Sequence, residues 1–433
     1  MRHRNRSLAA VLISWSVAFG AGRIEAQFDQ YKTPGGPAGR PEERKAALER
    51  AAAQARWRLG PVRLEPWLGL KDVEYVDNVF GTAGKPQGDL TATAGAGLRG
   101  YLRTGPKVIW AAHLLPEYVW WRDLSDRRRL DGRYGVGAFG FGNHLTVEAT
   151  ATREQQQAIA SPEVLQAIHS RTDRGDLSLE APVGGAFALF GSATRLAVRN
   201  LGRSGGADPR EADLASLDRD ETLLSAGLRW NLPGRWSLGV GAQRSEVDFV
   251  RRGGPLDRSS SGTAPLAEIR RTDPDFNVSI QVARRSLDPK SGSSFVPYRG
   301  ATADATVGLH TDRRLGVLLY GSRNLIYSVE SGYSYLKDDH GGAAVFWKLG
   351  WRTSLRLFGE AGREGYTASL PAVPERHDTA RSYGADVIFS LGHAGSLVLR
   401  GSRSAFRSNL PGFDRSITSV GAGLSFGGTG TWY

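Results

Sequence analysis

From residue 62 to the end of the chain, apolar and polar residues alternate one for one in segment after segment. In residues 419–426, Val420, Ala422, Leu424 and Phe426 fall on one face of an extended strand and Ser419, Gly421, Gly423 and Ser425 on the other, because successive side chains of a strand point to opposite sides. The split recurs in residues 90–98, where Leu90, Ala92, Ala94, Ala96 and Leu98 oppose Thr91, Thr93, Gly95 and Gly97. It recurs again in 145–151, in 303–309, in 354–357 and in 276–282, where Phe276, Val278, Ile280 and Val282 oppose Asn277, Ser279 and Gln281. Strands of this kind carry unpaired backbone groups along both edges. The arrangement that satisfies all of them is a closed barrel whose last strand pairs with its first.

The connections separate a membrane barrel from a soluble sandwich, which would bury the apolar face as well. Tight turns fall near 104–107, 142–143, 184–185, 232–234, 272–275, 311–314, 350–352 and 391–395, and between them lie the long polar segments 155–174, 201–220, 251–262, 287–297 and 365–378. Bacterial outer-membrane barrels alternate in this way, with short periplasmic turns and longer outer loops. Counting under that alternation predicts about eighteen strands, sixteen being the other count, with the first rising from Val62 and the last descending through Phe426. Residues 263–271 alternate poorly and are kept as a strand because omitting them would put 287–297 on the short-turn side. Trp110, Trp230, Trp236, Trp347 and Trp351 stand near turns and predict an aromatic girdle at one interface. The predicted fold class is all-β: a transmembrane antiparallel up-and-down barrel.

Ahead of the barrel, Arg2, Arg4 and Arg6 precede an apolar stretch at 8–19 and the small-residue end Ile24-Glu25-Ala26. This predicts a secretory signal cleaved after Ala26; the stretch is too short to cross about 30 Å of hydrocarbon. The chain then divides into a signal peptide at 1–26, a periplasmic linker with a short helix at 27–58, and the barrel at 59–433. Glu42, Glu43, Arg44 and an alanine-rich run predict the helix by propensity rather than by amphipathic spacing, as a plug or a docking arm. A second short helix is predicted at 161–169, where Ser161 is an N-cap, Pro162 takes the first helical position, and Val164, Leu165 and Ile168 follow at helical spacing. Packed into the mouth, it would form a constriction; packed against neighbouring outer loops, it would brace them.

Composition sharpens this picture in three ways. Mean hydropathy is -0.33, and the sequence holds no apolar run long enough for a spanning helix. Cysteine is absent, which excludes disulfides and thiolate metal sites. Net charge is +12, and removing the four Arg and one Glu of residues 1–26 leaves +9. The arginines of the remaining chain are spread over turns, loops and strand faces, so anionic lipopolysaccharide or an acidic polysaccharide is the expected counter-charge and nucleic acid is not.

Candidate chemistry is sparse. Gly95-Ala96-Gly97-Leu98-Arg99-Gly100 fits the dinucleotide expression G-x-G-x-x-G but continues into Tyr101-Leu102 instead of opening a helix, so no cofactor is predicted. The eight histidines make no zinc motif, and no metal site is predicted. His144 and Glu148 share the polar face of one strand. A barrel-embedded lipid hydrolase would further need a serine and an orienting carboxylate or amide on neighbouring strands, all aimed outward, and no such catalytic set is read here. The polar faces instead predict a lumen wall carrying Arg99, Arg133, Arg229, Arg285, Lys348, Arg356 and Arg400, with Glu117, Glu148, Asp176, Glu180, Asp304, Glu360 and Asp386 opposite. A barrel of this size leaves an aqueous channel, to which a mixed wall gives weak ion preference, unless the pairs bridge and fill the bore.

Four stretches carry a resemblance to a known family: Leu59-Gly60-Pro61-Val62-Arg63-Leu64-Glu65-Pro66 with Tyr75-Val76-Asp77-Asn78-Val79-Phe80; Arg174-Gly175-Asp176-Leu177-Ser178-Leu179-Glu180; Tyr298-Arg299-Gly300; and Ser408-Asn409-Leu410-Pro411-Gly412-Phe413-Asp414-Arg415. They resemble the β-barrel porin 2 family of bacterial outer-membrane proteins, whose relatives are often linked to exopolysaccharide secretion. The resemblance covers most of the chain after residue 58. It implies an outer-membrane channel surrounded by lipid and lipopolysaccharide, with exopolysaccharide export and a periplasmic polysaccharide exporter as the finer expectation. The alternative is a non-conducting structural or partner-dependent barrel. The barrel insertion machinery would recognise either Phe426 or Tyr433.

Overall fold

The computed structural model describes residues 41–161, 163–201, 214–273, 275–311, 314–392 and 395–427. The expected signal at 1–26 and Tyr433 lie outside them. One helix, α1 (Pro41–Gln54), precedes the strands β1 (Trp57–Leu59), β2 (Val62–Val76), β3 (Asp89–Thr104), β4 (Val108–Trp121), β5 (Arg129–Phe141), β6 (Thr146–Ser161), β7 (Val164–Gly184), β8 (Phe187–Asn200) and β9 (Arg219–Asn231). There follow β10 (Trp236–Phe249), β11 (Ser260–Thr272), β12 (Phe276–Pro289), β13 (Tyr298–Thr311), β14 (Leu315–Tyr327), β15 (Tyr333–Lys348), β16 (Thr353–Ala368), β17 (His377–Leu391), β18 (Gly395–Ser408) and β19 (Arg415–Gly427).

From β2 onward each strand pairs antiparallel with its neighbours in sequence, and β19 pairs with β2 through Ser419 opposite Val76, Ser425 opposite Gly69 and Phe426 opposite Leu68. The three-residue β1 only folds back on the start of β2. Setting it aside, eighteen of the nineteen strands form a closed wall. The poorly alternating segment at 263–271 is indeed a strand, β11, paired on both sides.

Facing follows from this pairing. Leu68, Leu70, Leu114, Val136, Leu189, Leu228, Val240, Leu319, Leu357, Leu399 and Val420 are exposed, whereas residues one position away, such as His113 and Arg229, are buried. An apolar belt around a closed barrel matches the hydrocarbon of a bilayer, which offers backbone groups no partners and therefore requires closure. At the short-turn end Trp110, Trp230, Trp347 and Trp351 are exposed outside the barrel, and Phe187 stacks on Trp230 at 5.9 Å. That is the aromatic girdle.

Three local features depart from the sequence reading. A bulge in β2 shifts its pairing with β3 between Lys71 and Glu74, with Asp72 at a φ of 52°, a conformation that Asp tolerates better than most residues. The extra residue reverses facing along the strand: Leu68 and Leu70 face outward before it, while Glu74 is buried inside after it and Tyr75 is exposed. His144 is exposed in the turn before β6, so it does not share the strand face that carries Glu148. The described residues of 161–169 form no helix. The β6–β7 ladder continues through Gln157 opposite His169 to Ser161 opposite Val164. A short isolated helix is marginal, whereas extending an existing ladder satisfies backbone groups at each step.

The Gly95 and Gly97 of the dinucleotide-like motif lie inside β3. A Cβ at Gly95 would fall 2.9 Å from both Glu117 Cγ and the Trp67 ring, and one at Gly97 would fall 2.3 Å from Leu115. These glycines admit side chains lying flat on the inner wall.

The assignment of faces is tested on β12, where Ile280 lies between Ile269 and Ala305 and is the middle residue of the outward set Val278, Ile280, Val282. Ile280→Arg should destabilise the folded, heat-modifiable barrel by roughly 2–4 kcal/mol in denaturant unfolding, the range for a charge near the bilayer midplane. Ser279→Arg, pointing into the bore, should cost far less. Equal losses would reverse the facing.

Candidate channel and its two closures

The predicted wall residues all fall on the strand face opposite the apolar belt, and most are joined in ion pairs. Arg229 on β9 bonds Glu180 on β7 and Glu268 on β11, the latter at 3.0 Å, and Arg270 adds to Glu268 at 3.2 Å. Arg356 and Arg400 hold Asp386 between them at 3.2 and 3.0 Å. Glu117 receives Lys71 at 2.8 Å and Arg133 at 3.8 Å. Asp176 takes Arg174 and the Thr194 hydroxyl, each at 2.7 Å, and Tyr320 donates to Glu360 at 3.0 Å. Arg99 lies beside Glu65 on β2 and His113 on β4. Arg285, Asp304 and Lys348 stand opposite Gly300, Gln281 and Ser354. Lys71, Glu268 and Arg270 were not foreseen, the first because of the bulge and the other two because β11 alternates poorly.

At the short-turn end the wall turns apolar, and α1 covers that patch. Leu48 is buried against Tyr101, Ile109, Ala111, Phe139 and Phe141 of β3, β4 and β5, with Ala51, Ala52 and Ala55 beside it. Positions 48, 51 and 52 share one stripe of the helix and Ala55 follows just past its end, an amphipathic signal that small alanines conceal. From the same helix Arg44 forms an ion pair with Glu148 on β6 and lies in the field of Glu180, Arg229 and Arg270. Arg103 approaches Glu49 at 3.5 Å, and the Arg56 amide donates to Glu65 at 3.0 Å. Fourteen residues make a helix about 21 Å long. One end is fixed near β2 and the other reaches the arc from β6 to β11, so α1 lies within the barrel across the short-turn end.

At the opposite end, loops and strand ends pack together. Phe249, Phe295, Tyr298, Tyr327, Tyr333, Tyr335 and Tyr366 pack with Leu287, Leu325 and Leu336 into the largest buried apolar cluster of the described residues. Phe249 meets Tyr327 edge-on at 5.0 Å. Two buried arginines tie the loops together. Arg258, between β10 and β11, donates to the carbonyls of Tyr333 and Ser334 at 2.5 and 3.0 Å and to Ser294 Oγ at 2.7 Å. Arg376, before β17, pairs with Asp378 at 2.6 Å and Glu330 at 2.7 Å and lies over the rings of Tyr366 and Phe413. Hydrogen bonds hold the Arg258 guanidinium in its buried site, and ion pairs with aromatic stacking hold that of Arg376.

The β6–β7 hairpin completes this closure. At its tip Glu163 accepts hydrogen bonds from Ser328 Oγ at 2.6 Å and the Val329 amide at 2.7 Å, both in the loop between β14 and β15. Six strands separate β7 from β14 in one direction and eight separate β6 from β15 in the other. A hairpin that bridges them leans over the mouth.

No protein-family model matches the chain, and no curated protein is similar to it in sequence. Its fold is similar to solved structures. A BenF-like porin from Pseudomonas fluorescens Pf-5 aligns with a TM-score of 0.51 at 11% identity, over 85% of this chain and 99% of that one. The outer membrane protein OpdK from Pseudomonas aeruginosa aligns with a TM-score of 0.50 at 11% identity, over 86% and 99% of the two chains. OpdK with vanillate gives 0.50 at 12% identity, over 85% and 99%. At these identities the likeness establishes the fold, a porin-type barrel. The β-barrel porin 2 family and its exopolysaccharide link remain a resemblance of sequence stretches.

Glu163 makes the outer closure sensitive to pH. Burial is the largest influence on its carboxyl and pushes it up from 4.5 to about 7, against the hydrogen bonds from Ser328 and Val329 that lower it. A group raised in the docked state contributes its full stabilisation below its free value, and this is lost as pH rises through the docked value. Docking of the tip should therefore weaken from about pH 5 to about pH 8, and conductance in planar bilayers should rise over that window. Glu163→Gln should flatten the profile; an unchanged pH profile in that variant would remove Glu163 from the closure.

Proposed function

We propose that the chain is an outer-membrane, porin-like channel for small polar solutes, held narrow at rest by α1 at the periplasmic end and by the β6–β7 hairpin with its loop cap at the outer end. The observation that carries this reading is a closed barrel whose inner wall carries ion-paired charges on many of its strands. A barrel of this strand number leaves an aqueous bore. The wall charges on this reading line the solute path: Arg99, Arg133, Arg229, Arg285, Lys348, Arg356 and Arg400 with Glu148, Asp176, Glu180, Asp304, Glu360 and Asp386. Their mutual pairing leaves little net field, so selectivity by charge is weak. The residues considered for an embedded lipid hydrolase are split, His144 to a turn and Glu148 to Arg44.

Export of an exopolysaccharide with a periplasmic exporter is the second reading. What favours it is that α1 is held by one leucine, a few alanines and a handful of polar contacts, few enough for a partner to displace. The structural neighbours give it no support, and a bore crossed at both ends suits small solutes better than a polymer.

The two readings diverge when α1 is loosened. Leu48→Glu, and separately deletion of residues 41–56, should raise single-channel conductance in planar bilayers while the barrel stays folded and heat-modifiable. Unchanged conductance in both, together with loss of polysaccharide secretion in cells, would make α1 a docking arm and contradict the plugged-channel reading.

A further inference from the structure

We propose that Asp338, His340 and Glu364 form a binding site for a divalent first-row transition metal such as Zn2+ on the inner wall, beneath the outer closure. Asp338 on β15 lies directly opposite Glu364 on β16, and His340 stands one step along the same face of β15, opposite Gly362. One ligand atom from each lies within 4.8 Å of the other two. Ligand atoms about 2.1 Å from a common ion are at most about 4.2 Å apart, so small side-chain rotations complete the site. Gly362 makes the geometry possible: a Cβ there would fall 2.2 Å from His340 Nε2, so only glycine lets the imidazole lie over β16.

The bonding of these groups points to a cation. Asp338 is buried and Glu364 is fully buried. His340 Nδ1 lies 2.5 Å from Asp338, and the Tyr366 hydroxyl lies 3.3 Å from Glu364 Oε2 and 3.1 Å from Asp378 Oδ2. Glu364 Oε1 is buried and accepts no hydrogen bond. The next carboxylate in the row, Asp378 opposite Glu364, is already neutralised by Arg376 at 2.6 Å. Glu360 and Arg415 complete the charged surroundings of the cluster. Two carboxylates and an imidazole form a mixed oxygen and nitrogen donor set that suits zinc and its first-row neighbours, whereas Ca2+ and Mg2+ take oxygen ligands. Tyr366 supplies an outer-shell hydrogen bond of the kind that orients metal ligands. A metal here would cross-link β15 to β16 just below Tyr333, Tyr335 and Tyr366 and stiffen the cap.

The test uses the folded, untagged barrel protein stripped with chelator and titrated with Co2+ as a spectroscopic probe, followed by competition with Zn2+. One equivalent should bind, giving visible absorption of a nitrogen and oxygen site that Zn2+ abolishes. His340→Ala and the isosteric Glu364→Gln should each weaken binding by about tenfold or more while the heat-modifiable form persists; if His340→Ala fails to fold, Glu364→Gln decides. No stoichiometric uptake by the folded wild type, or equal uptake by wild type and the folded variants, would overturn the proposal.

Discussion

A strand in hydrocarbon cannot leave its edge unpaired, and every other feature of this molecule depends on that constraint being met where β19 meets β2. Closure fixes the register around the ring, and register fixes which residues see lipid and which see the bore. The bulge between Lys71 and Glu74 belongs to the same solution. It sits in the closing strand, opposite a matching shift between Ala422 and Leu424, and turns Lys71 and Glu74 inward where an unbroken period of two would send one of them toward lipid. A charge on the lipid face costs roughly 2–4 kcal/mol near the midplane, and one extra residue avoids it.

Inside the wall a different balance holds. The charged residues form short runs between neighbouring strands, such as Glu180, Arg229, Glu268 and Arg270 around β9, or Arg356, Asp386 and Arg400 around β17. Pairs of this kind satisfy one another without filling the space beyond them. On the proposed reading, constriction comes from segments added to the barrel at its two ends. α1 rests on an apolar patch at one end, and at the other the loops build a small aromatic core of their own around Arg258 and Arg376. The lightly held helix and the pH-sensitive hairpin tip are the parts best suited to move, and the ladder between them is the part that does not.

The barrel was legible in the sequence because its signal is local: alternation gives the strands, turn chemistry gives the connections, and parity gives the facing of residues such as Arg99, Glu148 and Asp386. What escaped depends on neighbours distant in sequence. The helical spacing at 161–169 was genuine, but the continuing β6–β7 ladder outweighed it. The stripe of Leu48, Ala51 and Ala52 was hidden by alanine, which serves as readily for propensity as for packing. Asp338, His340 and Glu364 form no motif because β16 supplies the third member across the sheet. Arg258 and Glu163 lie in loops where no periodicity indicates that a charged side chain is buried.

The closing register between the first and last strands of the wall can be tested cleanly, because native cysteine is absent. Directly opposed residues of antiparallel strands have Cα atoms about 4.5–5.5 Å apart, within disulfide range. With cysteines introduced at Val76 and Ser419, which are opposed across the seam, mild oxidation of the folded barrel should give an efficient disulfide within one chain, while cysteines at Tyr75 and Ser419 should link poorly. Reversal of that preference, or disulfides formed only between chains, would contradict the account.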